Sequence, residues 1–219
     1  MLFGSNARIS ALALIVLTVS TSALAADVTL LSGFYQRSSP KIEGKNTGST
    51  STISLGGRYT DDLTTDMAWI GGAEIALRSY SGSGGTPTPD NSVGMVLRGG
   101  ARHYFKPFAD AIVPYVSGIA SLVNTKTAVW VTDGYNQTTT SGLYYGGNAG
   151  IRTGLGGDFF VEVEIPLFES PLFAVTETES VRKVGNDTVT TKQESTDTAL
   201  FVDTSAPITE IRLGLGMKL

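Results

Sequence analysis

The sequence has no cysteine, a single histidine, His103, and only 16% charged residues. Without cysteine there is no disulfide framework, no thiolate metal centre, no thiol nucleophile and no lipid anchor on a cysteine. One histidine leaves little room for base-activated catalysis. No metal-ligand cluster, phosphate-binding loop or nucleophile elbow occurs, so neither a metal nor a cofactor is expected. Positive charge is also in deficit, with 16 Lys+Arg against 20 Asp+Glu, which argues against nucleic acid as a partner. The chain has one long apolar run, Ile9 to Val19, and its roughly 11 residues fall short of the ~20 needed for a helix to cross hydrocarbon.

That run reads as the core of an export signal, with Arg8 before it and the small-residue cleavage site Ala23-Leu24-Ala25 after it. Residues 1–25 are therefore expected to be a cleaved signal peptide. Removing 25 of the 219 residues leaves 194, enough for a single all-β domain over 26–219. Loss of Arg8 leaves 15 basic against 20 acidic residues, a net charge of about −5 in place of −4.

What the chain does have is 26 glycines, 41% hydrophobic residues and a repeating alternation. Eight segments read as strands: Val28 to Arg37, Thr52 to Thr60, Met67 to Tyr80, Val93 to Phe105, Pro114 to Trp130, Gly142 to Leu155, Asp158 to Phe168 and Ile208 to Leu219. The connections between them alternate strictly. Asp61 to Asp66, Lys106 to Val113 and Gly156-Gly157 are short; Ser38 to Ser51, Ser81 to Ser92, Val131 to Ser141 and Glu169 to Ser205 are long and polar. Short turns at one end and long loops at the other predict an all-β, eight-stranded antiparallel up-and-down transmembrane β-barrel. Within the last loop, Ala174 to Val184 and Thr188 to Phe201 flank Gly185-Asn186-Asp187, a hairpin signal. This stretch, at about 169–205, is either a polar ribbon continuing the strands or a disordered threonine-rich loop.

Side chains alternate between faces along a strand, and parity collects the charges on one wall. Arg58, Glu74, Arg78, Arg98, Arg102, Arg152, Glu162, Glu164, Glu210 and Arg212 share a face opposed to Leu, Ile, Val, Phe and Met. A lipocalin-like secreted binder would turn the charged face to water. A membrane barrel turns it inward, and two features favour that reading. Aromatics of the apolar face, Tyr59, Trp69, Phe105 and Phe159, with Tyr115 a further candidate, gather beside the short turns as an interfacial girdle does. The charged face also mixes six arginines with four glutamates, and buried charges need such partners. Neighbouring strands would pair Glu74 with Arg98 or Arg102, Glu162 with Arg152, and Glu164 with Arg212. Inward glycines at 56, 72, 94, 100, 146, 150 and 154 would make room. Eight strands enclose little more than their own side chains, so a filled barrel is expected, with a narrow channel as the alternative. Neither parity of Pro114 to Trp130 is clearly polar.

A first strand directly after the leader in Val28 to Arg37, the glycine-rich Leu55-Gly56-Gly57-Arg58-Tyr59, and the closing Leu213-Gly214-Leu215-Gly216-Met217 resemble the small outer-membrane barrels of the OmpA transmembrane-domain, OmpX/Ail and opacity-protein type. The chain departs from that pattern by ending in Leu219 where many such barrels end in phenylalanine. The resemblance implies a bacterial outer-membrane location, contact with outer-membrane lipid and lipopolysaccharide, and external loops that meet a host or cell-surface partner in adhesion. A lipid-modifying enzyme is the other class among such barrels. It would need a base beside a serine and a carboxylate, whereas His103 falls on the apolar face, in a girdle position that suits an amphipathic ring. The expected role is non-enzymatic.

Overall fold

The computed structural model describes residues 26–38, 41–42, 45–46, 48–82, 87–108, 111–184, 187–197 and 211–219, with side chains omitted at 34–38, 41–42, 45–46 and 197. Residues 1–25, expected to be an export signal, and Glu210 lie outside the described residues. Every described regular element is a strand: β1 Ala26–Ser38, β2 Lys41–Ile42, β3 Lys45–Asn46, β4 Gly48–Asp62, β5 Met67–Gly82, β6 Ser92–Tyr104, β7 Ile112–Val131, β8 Gly134–Gly156, β9 Phe159–Val184, β10 Asp187–Asp197 and β11 Ile211–Lys218. Pairing runs β9-β11-β1-β4-β5-β6-β7-β8 and returns from β8 to β9, which closes an eight-stranded antiparallel up-and-down barrel. Closure leaves no free edge in the wall. β2 and β3 form a separate two-residue ladder, and β10 pairs with β9 outside the ring.

Local chemistry sets the turns. The Thr64 hydroxyl accepts from the Met67 N–H at 3.1 Å and closes the β4–β5 turn. At the β8–β9 turn Gly156 and Gly157 have φ of 108° and 59°, conformations that a Cβ disfavours. Register shifts at Leu143/Tyr144, Gly147/Asn148 and Gly154/Gly156 mark bulges that add twist to the longest pair of strands.

One connection differs from the sequence reading. Val131 to Ser141 is not a loop: β7 and β8 stay paired to Val131↔Gly134, joined by Thr132-Asp133, with Asp133 at φ 63°. Above Asn124, β7 has no β6 partner, so this part of the hairpin stands beyond the ring. β9 continues alongside it, pairing Gly134 to Gly142 with Ala174 to Arg182, and β10 adds Asp187 to Asp197. The segment at 174–184 and 187–197 is thus a paired ribbon, and it joins β7 and β8 in one four-stranded extension. Arg182 donates to the Asn136 side chain at 2.8 Å, as does Ser180 at 2.9 Å. Burial, with Glu179 and Asp90 adding, pushes the Tyr135 phenol above its ordinary range. The ribbon is tied to the barrel by Trp130, which is buried against the Tyr80 ring at 5.9 Å. The Tyr80 hydroxyl in turn donates to the Lys126 carbonyl at 2.9 Å. Here the buried parity of β7 switches to Ala128 and Trp130.

Across the ring, burial is inverted relative to a soluble barrel. Arg102 and Glu162 are 0% exposed, whereas Leu30, Leu213 and Leu215 are 52–56% exposed. The exposed apolar residues are also neighbours in register: Leu30 faces Leu215, Leu55 faces Ile75, Leu77 faces both Ile53 and Val93, and Ile75 faces Met95, while the half-buried Leu97 faces the exposed Leu122. They form a continuous belt around the outside.

Candidate functional site: the barrel interior

The interior is organised by β9. Glu162 and Glu164 are two residues apart and so project from one wall. Arg58 on β4 and Arg102 on β6 each lie three strands from β9, in opposite directions around the ring. Both reach across the lumen. Arg58 pairs with Glu162 and, at 2.8 Å, with Glu164; Arg102 pairs with Glu162 at 2.8 Å and Glu164 at 3.2 Å. Each carboxylate is therefore held by two guanidiniums from opposite sides. Arg102 also donates to Ser117 at 3.2 Å and stacks on Tyr115, its guanidinium carbon 3.7 Å from the ring centroid. The Tyr115 hydroxyl lies 3.3 Å from Glu164, to which Asn148 donates at 3.0 Å.

Around this centre the shorter pairings close. The structure places Glu74 with Arg98, Glu162 with Arg152, and Glu164 with Arg212, the last at 3.6 Å. Arg102 sits with Glu162 and Glu164 instead of Glu74. Glu74 also lies 3.9 Å from Arg212, and Arg152 bridges from Glu162 to Asp27 on β1. Arg152 packs on the Phe160 ring at 3.9 Å. Arg78 lies higher, toward the long connections, beside Gly94. Burying an unpaired charge is costly, and here Arg58, Arg98, Arg102, Arg152 and Arg212 are each paired with a carboxylate. The result is a cross-braced plug, within which a cavity of about 30 Å³ lies beside Arg58, Glu74, Arg98, Asn148, Glu164 and Arg212, about room for one or two waters.

Glycines fit the bulky groups into the lumen. A Cβ at Gly150 would stand 2.6 Å from the Val163 carbonyl oxygen and run into the Tyr115 ring, and one at Gly216 would run into Phe160. Among the described residues no group of three or more His, Asp or Glu is gathered as a metal-ligand set.

Four participants went unread in the sequence: Asp27, Tyr115, Asn148 as a carboxylate donor, and Ser117. Asp27 precedes the strand start inferred at Val28, yet shares the parity of Thr29, which is fully buried; extending β1 by one residue would have found it. Tyr115 is not part of the girdle. It is 1% exposed inside the barrel, because β7 turns Tyr115, Ser117, Ile119 and Ser121 inward and Val116 and Leu122 outward. Of the girdle residues, Phe105 and Phe159 are exposed and Tyr59 packs on Trp69 with centroids 5.2 Å apart. His103 stands on the outward face, edge-on to Phe105 at 5.0 Å, with the wall between it and the interior carboxylates.

Above the plug, toward the long connections, lies a larger cavity of about 430 Å³. Arg98, Glu74 and Arg212 border it, with Arg78 and Glu169.

No protein-family model and no curated protein matches the chain. Among solved structures, the translocator domain of the autotransporter NalP from Neisseria meningitidis is 11% identical, covering 97% of this chain and 96% of that one, with a TM-score of 0.36. Salmonella typhi OmpF in complex with daunomycin is 7% identical, covering 88% and 96%, with a TM-score of 0.17. At these values the similarity bears no weight, and what the barrel does follows from its own residues.

Proposed function

We propose that the chain is an integral barrel of a bacterial outer membrane, non-enzymatic, sealed by its ion-paired interior, and using the β7–β10 ribbon to contact partners outside the cell. One observation carries the membrane reading: a continuous belt of half-exposed Leu, Ile, Val and Met encircles eight strands whose interior buries Arg and Glu. In water such a belt would far exceed the few hundred Å² of contiguous apolar surface that soluble proteins carry. In hydrocarbon it is the favoured face, and closure satisfies every backbone group of the wall. The girdle beside the short turns fits one interface, with outer-membrane lipid and lipopolysaccharide as surroundings. An export signal over residues 1–25 is the matching delivery route.

The ribbon supports the contact role. Its strands alternate Thr, Val, Lys and Glu, with β10 exposed from Asp187 to Thr196, and among the described residues β10 pairs only with β9. An extended partner could add to that edge through main-chain hydrogen bonds. The test has two arms. Electrophoresis of the detergent-solubilised outer-membrane fraction, with and without boiling, should show a heat-dependent mobility shift; a soluble protein without a shift refutes the membrane reading. Deleting Thr176 to Thr196 should abolish cell-surface binding while keeping the shift, and unchanged binding refutes the ribbon's role. Planar-bilayer recordings should show no steady conductance, and lipid A should be unaltered by His103→Ala.

A further inference from the structure

We propose that the outer edge of β10 pairs with the same edge of a second copy of this chain standing in an opposing membrane, so that the ribbon joins cell to cell. The inference rests on the ribbon's contact role and names its partner. β10 is exposed from Asp187 to Thr196, and among the described residues it pairs only with β9. An open edge accepts almost any strand unless its side chains select one, and here they do. Two identical edges meet antiparallel about a two-fold axis perpendicular to the sheet, and residues directly opposite then share a face. Centred on Gln193, this pairing sets Lys192 of each copy against Glu194 of the other, Thr190 against Thr196 and Thr191 against Ser195. Opposite charges and hydroxyl pairs are combinations that stabilise neighbouring strands. Centred on Lys192 or on Glu194, the same pairing sets like charges against each other. A parallel, in-register pair does so at both positions.

Within one chain Glu194 has poor company. It lies directly opposite Glu177 on β9, while Lys192 lies opposite Glu179 at 3.9 Å, so these four positions set one lysine among three glutamates. A second copy brings its own Lys192 to Glu194 from the open side. The geometry also fixes where that copy stands. β9 runs unbroken from the wall into the ribbon over Phe159–Val184, so the ribbon continues the wall and its perpendicular lies across the barrel axis. A two-fold rotation about that direction turns the second barrel upside down. Barrels in one membrane all face the same way, and the pairing therefore joins facing membranes. Each contact is short and exposed ion pairs add little, so attachment depends on many copies acting together across the two surfaces.

The test uses two populations of Gram-negative cells with short lipopolysaccharide, labelled in different colours and each expressing the full chain. They are mixed in low-salt buffer, where exposed charges are least screened, and two-colour aggregates are counted by flow cytometry. The outer-membrane fraction of each strain is checked for the heat-dependent mobility shift, so loss of fold and loss of pairing are told apart. Wild-type cells should form mixed aggregates severalfold above cells without the barrel. Cells bearing Lys192→Glu and cells bearing Glu194→Lys should each fail to aggregate among themselves, yet regain the wild-type level when mixed together, because each edge then meets its complement. The proposal is overturned if the folded wild-type barrel gives no aggregates above background, if either variant aggregates alone as the wild type does, or if mixing the two restores nothing. Should wild-type cells ignore one another while deletion of Thr176 to Thr196 still abolishes binding to another surface, the ribbon's contact role stands and this choice of partner falls.

Discussion

Arg102→Ala removes the residue that braces the plug most completely. The wild-type side chain is fully buried. It pairs with Glu162 at 2.8 Å and Glu164 at 3.2 Å, donates to Ser117 and stacks 3.7 Å from the Tyr115 centroid. Deleting one partner of a buried ion pair strands charge in low dielectric and costs about 3–5 kcal/mol. Loss of the stack contributes about 1–2 kcal/mol, overlapping with the first term because both act through the same guanidinium. Arg58, Arg152 and Arg212 remain near the carboxylates, so the net cost should stay near about 3–5 kcal/mol, more than a hundredfold in the folded-to-unfolded ratio. Urea unfolding of the vesicle-refolded barrel, followed by tryptophan fluorescence, reads it. The partner experiment fixes the cause: Glu162→Gln should destabilise the wild type but relieve part of the loss in the Arg102→Ala background, giving a favourable coupling energy. A cost below about 1 kcal/mol, the value of an exposed pair, or full additivity of the two substitutions would refute the cross-lumen brace.

Three further outcomes follow from the same geometry. Leu213→Arg places a charge in the middle of the outer belt and should destabilise the inserted barrel by about 2–4 kcal/mol, whereas on a water-facing surface it would cost almost nothing; vesicle refolding yield and urea midpoint distinguish the two. Gly150→Val drives a side chain into the Tyr115 ring and the Val163 carbonyl, and should lower the urea midpoint by the equivalent of at least about 1–3 kcal/mol with an unchanged m-value. Trp130→Ala removes the ribbon's anchor on Tyr80; the loss of about 3–5 kcal/mol should fall locally, so that limited proteolysis cleaves within the ribbon while the boiled and unboiled mobilities still differ.

Most of the ring was readable because this barrel wall has one polar and one apolar face, and strict alternation follows. The segments around Glu74, Arg98, Arg152, Glu162 and Arg212 each declared a face, and pairing between adjacent strands followed from order in the chain. The ribbon was harder: Val131 to Ser141 carries polar residues on both faces, so Thr, Asn and Gln occur without alternation and look like a loop. Two β7 features were hidden for related reasons. Tyr115, Ser117 and Ile119 mix polar and apolar groups at inward positions, and the buried parity then switches to Ala128 and Trp130. The cross-lumen pairs of Arg58 and Arg102 had no adjacent-strand signal. They arise from the narrowness of an eight-stranded lumen, where a long side chain reaches the opposite wall.

The central claim is that the apolar belt faces lipid and the charges face inward. The most direct measurement is quenching of single-tryptophan barrels by phospholipids brominated on the upper acyl chain, with the other tryptophan replaced by phenylalanine in each case. Trp69 lies on the outward face beside Tyr59, and its fluorescence should be strongly quenched. Trp130 is buried in the ribbon against Tyr80 and should be nearly unaffected. If Trp69 is as insensitive to bromine as Trp130 in a chain that co-sediments with vesicles, the outer face does not meet lipid and the assignment of the two faces is wrong.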